Sequence, residues 1–230
     1  MSRILYELAG ADPARRFSPY CWRIRMALAH KGLEAECRPW RFTETRSIAF
    51  SGQDKVPVLV DGETVVTDSW TIAGYLDATY PTLPALFPGA PAASRFTTLW
   101  ADTTLNGQLA RLIVSDIPAW LAPAQRDYFR ASREARFGMS LEAVTEGREA
   151  RLPGFRASLA PLRALVRLQP FLGGERPDYG DYAVFGSLQW ARCVSALPLL
   201  ERDDPLRGWR ERMLDLFGGL ARAAPACDTD

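Results

Sequence analysis

Histidine is almost absent from this chain: of 230 residues only one, His30, carries an imidazole. It falls in the last turn of a predicted helix, where a capping or dipole role is expected, and this argues against a Ser-His-Asp triad and against a zinc site. Cysteine is scarce as well. The four residues Cys21, Cys37, Cys193 and Cys227 show neither metal spacing nor a disulfide framework, which fits a reducing compartment. Charge of one sign is lacking too, because 28 Lys and Arg against 27 Asp and Glu leave a net charge of +1. With no basic stripe or lysine-rich tail, nucleic acid and anionic membrane are not expected partners. Long apolar runs are missing: MSRILYELAG is too short for a signal peptide, and no later segment approaches a membrane span. A cytoplasmic protein is expected.

What is present begins with length enough to bury a sizeable core as an α/β unit plus a helical unit. The most informative stretch is Lys55 to Tyr80, KVPVLVDGETVVTDSWTIAGYLDATY. Val58, Leu59 and Val60 read as a short strand, Asp61-Gly62 as a tight turn, and Thr64, Val65 and Val66 as the returning strand. Asp68-Ser69 then opens a helix whose buried face is Ile72, Ala73, Leu76 and Tyr80, and Pro81 ends it. Val56-Pro57 precedes the first strand, where a cis bond would expose the Val56 backbone to an extended peptide. A helix N-terminus at Ser69 can bind a carboxylate while Asp68 pairs with the adjacent α-ammonium, so together they suit a free amino-acid head group. Val56 can hold the next peptide unit as an added strand would. A lone Asp-Ser is more often a plain cap; beside Val-Pro-Val-Leu the binding reading is preferred.

A second motif, FSPYCWRIRMALAHKGL, covers residues 17–33. Ser18 suits an N-cap, Pro19 the first helical position, and Gly32 the stop. Ser-Pro-Tyr-Cys has the spacing of a Cys-x-x-Cys redox motif with its first cysteine replaced, which removes ordinary dithiol chemistry and leaves a hydroxyl beside a helix dipole. Cys21, one turn in, has a buried small hydrophobe as its default reading.

These motifs resemble the cytosolic glutathione transferases over nearly the whole chain. Within them, SPYCWRIRMALAHKGL, VPVLVDGETVVTDSWTIAGYLD, FLGGERPDYGDYAVFGSLQWA and DDPLRGWRERMLDLF resemble the bacterial glutathione-dependent β-etherases, which cleave aryl ethers of lignin fragments. The resemblance implies a thioredoxin-like α/β N-terminal domain followed by an all-α domain. It implies Ser18 as the activating residue, and Phe17, Lys55, Val56, Pro57, Asp68 and Ser69 as glutathione-binding. Tyr20 and Trp100 would lie in the acceptor pocket, with Cys21 as a possible secondary thiol. Glutathione would be a co-substrate, no metal would be needed, the acceptor would be a hydrophobic or aromatic electrophile, and the chain would pair as a homodimer. A non-catalytic carrier of hydrophobic ligands on the same fold is the competing reading, together with the thiol transferase.

Residues 1–81 are expected to form the first domain, 82–91 a stiff linker around Pro84, Pro88 and Pro91, and 92–230 the helical domain. Within the first domain, strands at 4–8 and 34–38 and a short helix within 43–53 are expected. Helices are expected at about 92–115, 123–137, 152–168, 178–196 and 205–223, followed by a loose tail. Asp178 and Asp181 have the spacing of a helix cap. The charged segment SREARFGMSLEAVTEGREARL is expected to be a solvated face, and Trp100, Trp120 and Trp190 are expected in packing, with Trp100 the partial exception.

Overall fold

The computed structural model describes residues 2–227. A four-stranded sheet is built from β1 (Arg3–Leu8), β2 (Glu36–Trp40), β3 (Val58–Asp61) and β4 (Thr64–Thr67), in the order β2-β1-β3-β4. β1 runs parallel to β2 and antiparallel to β3, and β3 is antiparallel to β4. β2 lies two residues later than its expected position and contains Pro39; it is tolerated because β2 is an edge strand, where the missing N–H breaks no second ladder. α1 (Pro19–His30) and α2 (Ser69–Thr79) accompany the sheet, with a 3₁₀ turn at Thr45–Ser51. This is the expected thioredoxin-like unit.

The second half is helical, again as expected. α3 (Pro91–Trp100) passes through a π-helical turn (Ala101–Leu105) into α4 (Asn106–Ile113), and a 3₁₀ segment (Val114–Trp120) carries Pro118. α5 (Pro123–Phe137) has the expected bounds, followed by α6 (Leu141–Thr145), α7 (Arg148–Ser158), α8 (Ala160–Val166), α9 (Tyr179–Val194) and α10 (Pro205–Gly219). The single helix expected at 152–168 is therefore two, broken at Leu159 just before Pro161, whose ring and missing N–H oppose continuation of the α7 ladder. α10 kinks at its end, where Phe217 takes φ 54°. The tail expected to be loose is tied down as far as Cys227, whose N–H donates to Arg192 O at 2.7 Å. Residues 228–230 lie outside the described residues.

α9 is the central post of the molecule, buried around nearly its whole circumference. Its start is a capping box in which Asp178 and Asp181 accept each other's backbone N–H, so the expected cap is present. Asp181 also accepts from Leu172 N at 2.7 Å, Gly173 N at 2.9 Å and Trp209 Nε1 at 2.8 Å. Burial pushes its carboxyl up to about 6, while these donors act in the opposite direction. α9 packs against α1 at Gly186, where a Cβ would lie 2.4 Å from Pro19 O, so only glycine permits this approach. Residues 80–90 between α2 and α3 contain no helix or strand. They are pinned by buried Lys31, which donates to Tyr80 O at 3.2 Å and Pro84 O at 3.1 Å and pairs with Asp77 at 2.8 Å.

Candidate active site

Ser18 caps α1 in extended backbone geometry, and its Oγ accepts from Cys21 N at 3.3 Å. Trp22 N–H returns to Ser18 O at 3.1 Å, and Pro19 has no N–H. Tyr20 therefore carries the first-turn N–H that the helix itself leaves unpaired. The loop leading to Ser18 is fixed from below. Arg16 donates its Nε to buried Glu7 at 3.4 Å and its Nη2 to Cys37 O at 3.3 Å, while Trp22 Nε1 donates to Arg16 O at 2.9 Å. Ser18 thus has a rigid mount and a helix N-terminus behind it, and its hydroxyl also lies within hydrogen-bonding reach of the Cys21 thiol.

A cavity of about 380 Å³ opens over this position. Ser18, Phe17, Pro19 and Tyr20 line it from the first turn of α1, and Lys55 and Val56 from the loop before β3. Trp40 and Phe42 close it from the end of β2, and the helical half supplies Asp102, Asn106, Tyr128, Phe129, Arg133, Arg136 and Trp190 among others. The two halves are fastened across the cavity rim: Thr43 N–H donates to Gln125 Oε1 at 3.1 Å, and Gln125 Nε2 donates to the Thr43 hydroxyl. Phe42 packs on Tyr128 and Phe129 with ring centroids 6.1 and 5.5 Å apart.

The Asp68-Ser69 start of α2 is not part of the cavity wall. The β3–β4 register pairs Val58 with Thr67, so the residues flanking that pair are Pro57 and Asp68. The Val56-Pro57 bond is cis. Asp68 is the exposed N-cap of α2, accepting from Trp70 N at 3.1 Å, Thr71 N at 3.0 Å and Thr71 Oγ1 at 3.2 Å through one carboxylate oxygen. Its second oxygen takes no part in that cap. Asp68 also adopts φ 68°, a conformation rare outside glycine, at a cost of about 1–3 kcal/mol. Ser69 is buried, and its carbonyl accepts from Tyr179 Oη at 2.8 Å, which ties the start of α2 to α9.

The expected places of Trp100, Trp190, Arg133 and Arg136 are corrected. Trp100 is not among the residues lining the cavity; it packs against the core, and the π-helical turn that follows it rotates Asp102 and Asn106 onto the cavity instead. Trp190, expected in packing only, does line the cavity. Arg133 and Arg136, from the segment expected to be a solvated face, form part of the wall because α5 turns that edge toward Phe42. Cys21 is fully buried and outside the cavity, and burial pushes its thiol up to about 12. His30 reaches across to α9, with its Nδ1 2.6 Å from Tyr182 Oη, and burial lowers its pKa. Among the described residues no cluster of metal-ligating side chains occurs, and no helix is long and apolar enough to cross a membrane.

Two family models match: the glutathione S-transferase N-terminal domain over residues 17–79 and the C-terminal domain over 92–204. The chain belongs to the cytosolic glutathione S-transferase superfamily. It is similar to glutathione S-transferase U28 of Arabidopsis thaliana, 31% identical over 42% of this chain and 46% of that protein. It is also similar to the glutathione S-transferase-like protein ustS of Aspergillus flavus, 28% identical over 68% of this chain and 57% of that one. The matches thus span about half the length of these curated relatives. A solved glutathione S-transferase from Ceriporiopsis subvermispora, crystallised in complex with glutathione, shares the fold with a TM-score of 0.81 at 24% identity, covering 98% of this chain and 99% of its own.

Proposed function

We propose that this protein is a glutathione transferase in which Ser18 activates the glutathione thiol for attack on an aromatic electrophile. The observation that carries the reading is the place of Ser18: a capping hydroxyl on a helix N-terminus, in the wall of an aromatic-lined cavity, with Val56 of the cis-proline loop in the same wall. Asp68 and the Ser69 end of α2 would hold the γ-glutamyl ammonium and carboxylate, Val56 the following peptide unit, and Phe17 and Lys55 the rest of the tripeptide. Tyr20 would border the acceptor.

A free thiol with pKa about 8.5 is only a few per cent ionised at neutral pH. A hydrogen bond to a charged group is worth about 1.5–3 kcal/mol, so donation from the Ser18 hydroxyl, helped by Tyr20 N–H, lowers the thiol by roughly one to two pKa units. With an aryl ether as acceptor, sulfur attacks the carbon next to a ketone. A C–S bond forms, the C–O bond breaks, and the aryloxide leaves with the bonding pair and takes a proton to become a phenol. The reaction needs no change of oxidation state in the protein. Cys21 buried and protonated argues against the thiol-transferase reading.

Exposed Phe50, Phe96 and Leu99 on the outer surface favour pairing of two copies. Light scattering at micromolar concentration should give about twice the 25.6 kDa chain mass, and a monomer would exclude the pairing. The activity test is turnover of β-aryl ethers and 1-chloro-2,4-dinitrobenzene with glutathione. Release of phenol or chloride above the uncatalysed rate is expected; glutathione binding without turnover of either would leave a carrier.

A further inference from the structure

α5 carries arginines in two distinct situations. Arg130 is saturated, at 2.8 Å from Glu134 and 2.8–2.9 Å from both carboxylate oxygens of Glu142, and Arg126 donates to Pro118 O and Leu121 O. Arg133 and Arg136 differ, because among the described residues neither has an ion pair with a carboxylate. The hydrogen bond of Arg133 is one donation to Ser132 Oγ at 3.0 Å. Its guanidinium instead sits over aromatic faces, 4.9 Å from the Phe129 centroid and 5.4 Å from that of Phe42. Both arginines line the cavity above Ser18. The acids of that wall do not neutralise them: Asp102 is engaged by buried Arg23 at 2.6 Å, and Asp54 sits on the exposed loop beside Lys55. Burial and the neighbouring Arg136 charge both work against the Arg133 cation, so an incoming anion relieves an unfavourable arrangement.

We propose that the acceptor of this enzyme is an aromatic compound bearing an anionic group, a carboxylate or ring-borne oxyanion, which Arg133 receives with support from Arg136 while the ring lies among Phe42, Tyr128 and Phe129. Stacking holds the guanidinium in place, and its planar fork of donors is the geometry that matches a carboxylate with two parallel bonds. Asn106 lies on the same wall but is buried, with the Tyr20 hydroxyl as the neighbour of its side-chain amide, so the anion is received by the arginines. This inference rests on the transferase reading for its chemistry, since the electrophilic carbon of the acceptor must lie within reach of the Ser18-bound thiolate.

The test compares 4-chloro-3-nitrobenzoate with its neutral amide, each rate divided by the uncatalysed rate with glutathione. In both, the thiolate sulfur bonds to the chlorine-bearing carbon, chloride leaves with the C–Cl pair, and the thiol proton passes to solvent. The wild type should prefer the benzoate, and Arg133→Gln should reduce the benzoate-to-amide ratio of kcat/KM roughly tenfold, the effect of one charge-assisted bond. Arg136→Gln should reduce it less, because Arg136 is exposed and screened. Arg133→Lys should keep part of the preference. Titration of glutathione-saturated protein with 3-nitrobenzoate and 3-nitrobenzamide gives the same comparison without chemistry. Equal binding of the two, or a preference that survives Arg133→Gln, overturns the proposal. A raised KM for glutathione with the acceptor preference intact also overturns it, because the cation would then belong to the carboxylate of glutathione itself. Preferential benzoate binding without turnover of either acceptor would sink the transferase reading and leave the anion site standing.

Discussion

The two sides of the cavity are made in different ways. The Ser18 side is built from short-range backbone devices: a helix cap, a cis-proline loop and a second helix start, all within residues 17–69. The opposite side is built from side chains on the π-helical turn, α4, α5 and α9, brought together only by packing across the helical half. Backbone devices fix where a peptide sits because their donors and acceptors are the chain itself. Side chains on separate helices fix what else fits, and each can be exchanged without moving the first side. A transferase that keeps one co-substrate while varying its acceptor is expected to divide its site in this way.

α9 is where the two sides meet, so disturbing it should have the largest effect. In Gly186→Ala the new methyl would meet Pro19 O at 2.4 Å, and the carbonyl belongs to the first turn of α1, which has little room to move. Overpacking of this kind typically costs about 1–3 kcal/mol, and here it also displaces Ser18. Thermal unfolding should show a lower midpoint, and any folded fraction should have lost turnover with every acceptor. Unchanged melting with unchanged activity would mean that α9 and α1 are less tightly joined than the packing indicates.

Ser18→Ala sharpens the comparison from the first side. The folded state and glutathione binding should survive, because the cap contributes only about 0.5–2 kcal/mol to α1. The rate should fall about ten- to a hundredfold, from loss of a bond to the thiolate worth roughly 1.5–3 kcal/mol. The pH dependence provides the sign. Because the proposed bond lowers the bound thiol, kcat/KM for the acceptor at saturating glutathione should rise with pH through a lower midpoint in the wild type and a higher one in the variant. Coincident profiles would move the donor role to Tyr20 N–H.

Asp68 permits a finer separation of cap from charge. Asp68→Asn keeps an oxygen for Trp70 N and Thr71 N, so α2 should remain capped, but it removes the negative charge that the proposed reading pairs with the γ-glutamyl ammonium. Glutathione affinity by calorimetry should weaken about three- to tenfold, as expected for one exposed charge contact of about 1 kcal/mol. Asp68→Ala should weaken it further and destabilise the protein as well. Equal behaviour of the two variants would indicate that the cap, not the charge, is what matters.

The same division explains what was legible in the sequence. Ser18-Pro19, Val56-Pro57, Asp61-Gly62 and Asp68-Ser69 are readable because each acts within three or four residues, where proline, glycine and capping chemistry have fixed positional meaning. Periodicity likewise sufficed for α5 and α9. It failed at Leu159, where Pro161 interrupts a pattern that continues apolar on both sides, and at the π-helical turn, which shifts the face of Asn106 relative to Trp100 without any residue that announces it. Arg133 and Arg136 looked like solvated charges because their neighbours Arg130, Glu134 and Glu142 form an ordinary surface network. Only the position of Phe42, about ninety residues away, reveals the difference.

Cys21 should show the smallest effect. It shares the first turn of α1 with Ser18, yet its side chain is fully buried and burial pushes its thiol up to about 12 from an ordinary 9.0. A raised folded-state pKa means that the folded chain binds more protons than the unfolded one between those values. The resulting stability is complete below about pH 9 and is lost as pH rises toward 12. At neutral pH the thiol is therefore a small protonated apolar group. Cys21→Ser should leave turnover within about twofold, since a polar hydroxyl of similar size replaces a weak donor, and should flatten the loss of stability above pH 9. Iodoacetamide at pH 8 should leave Cys21 of the native protein unmodified by mass spectrometry. Rapid alkylation, or a trapped glutathione adduct at Cys21 accompanied by loss of activity in the variant, would transfer the chemistry from the hydroxyl side of that helical turn to its thiol.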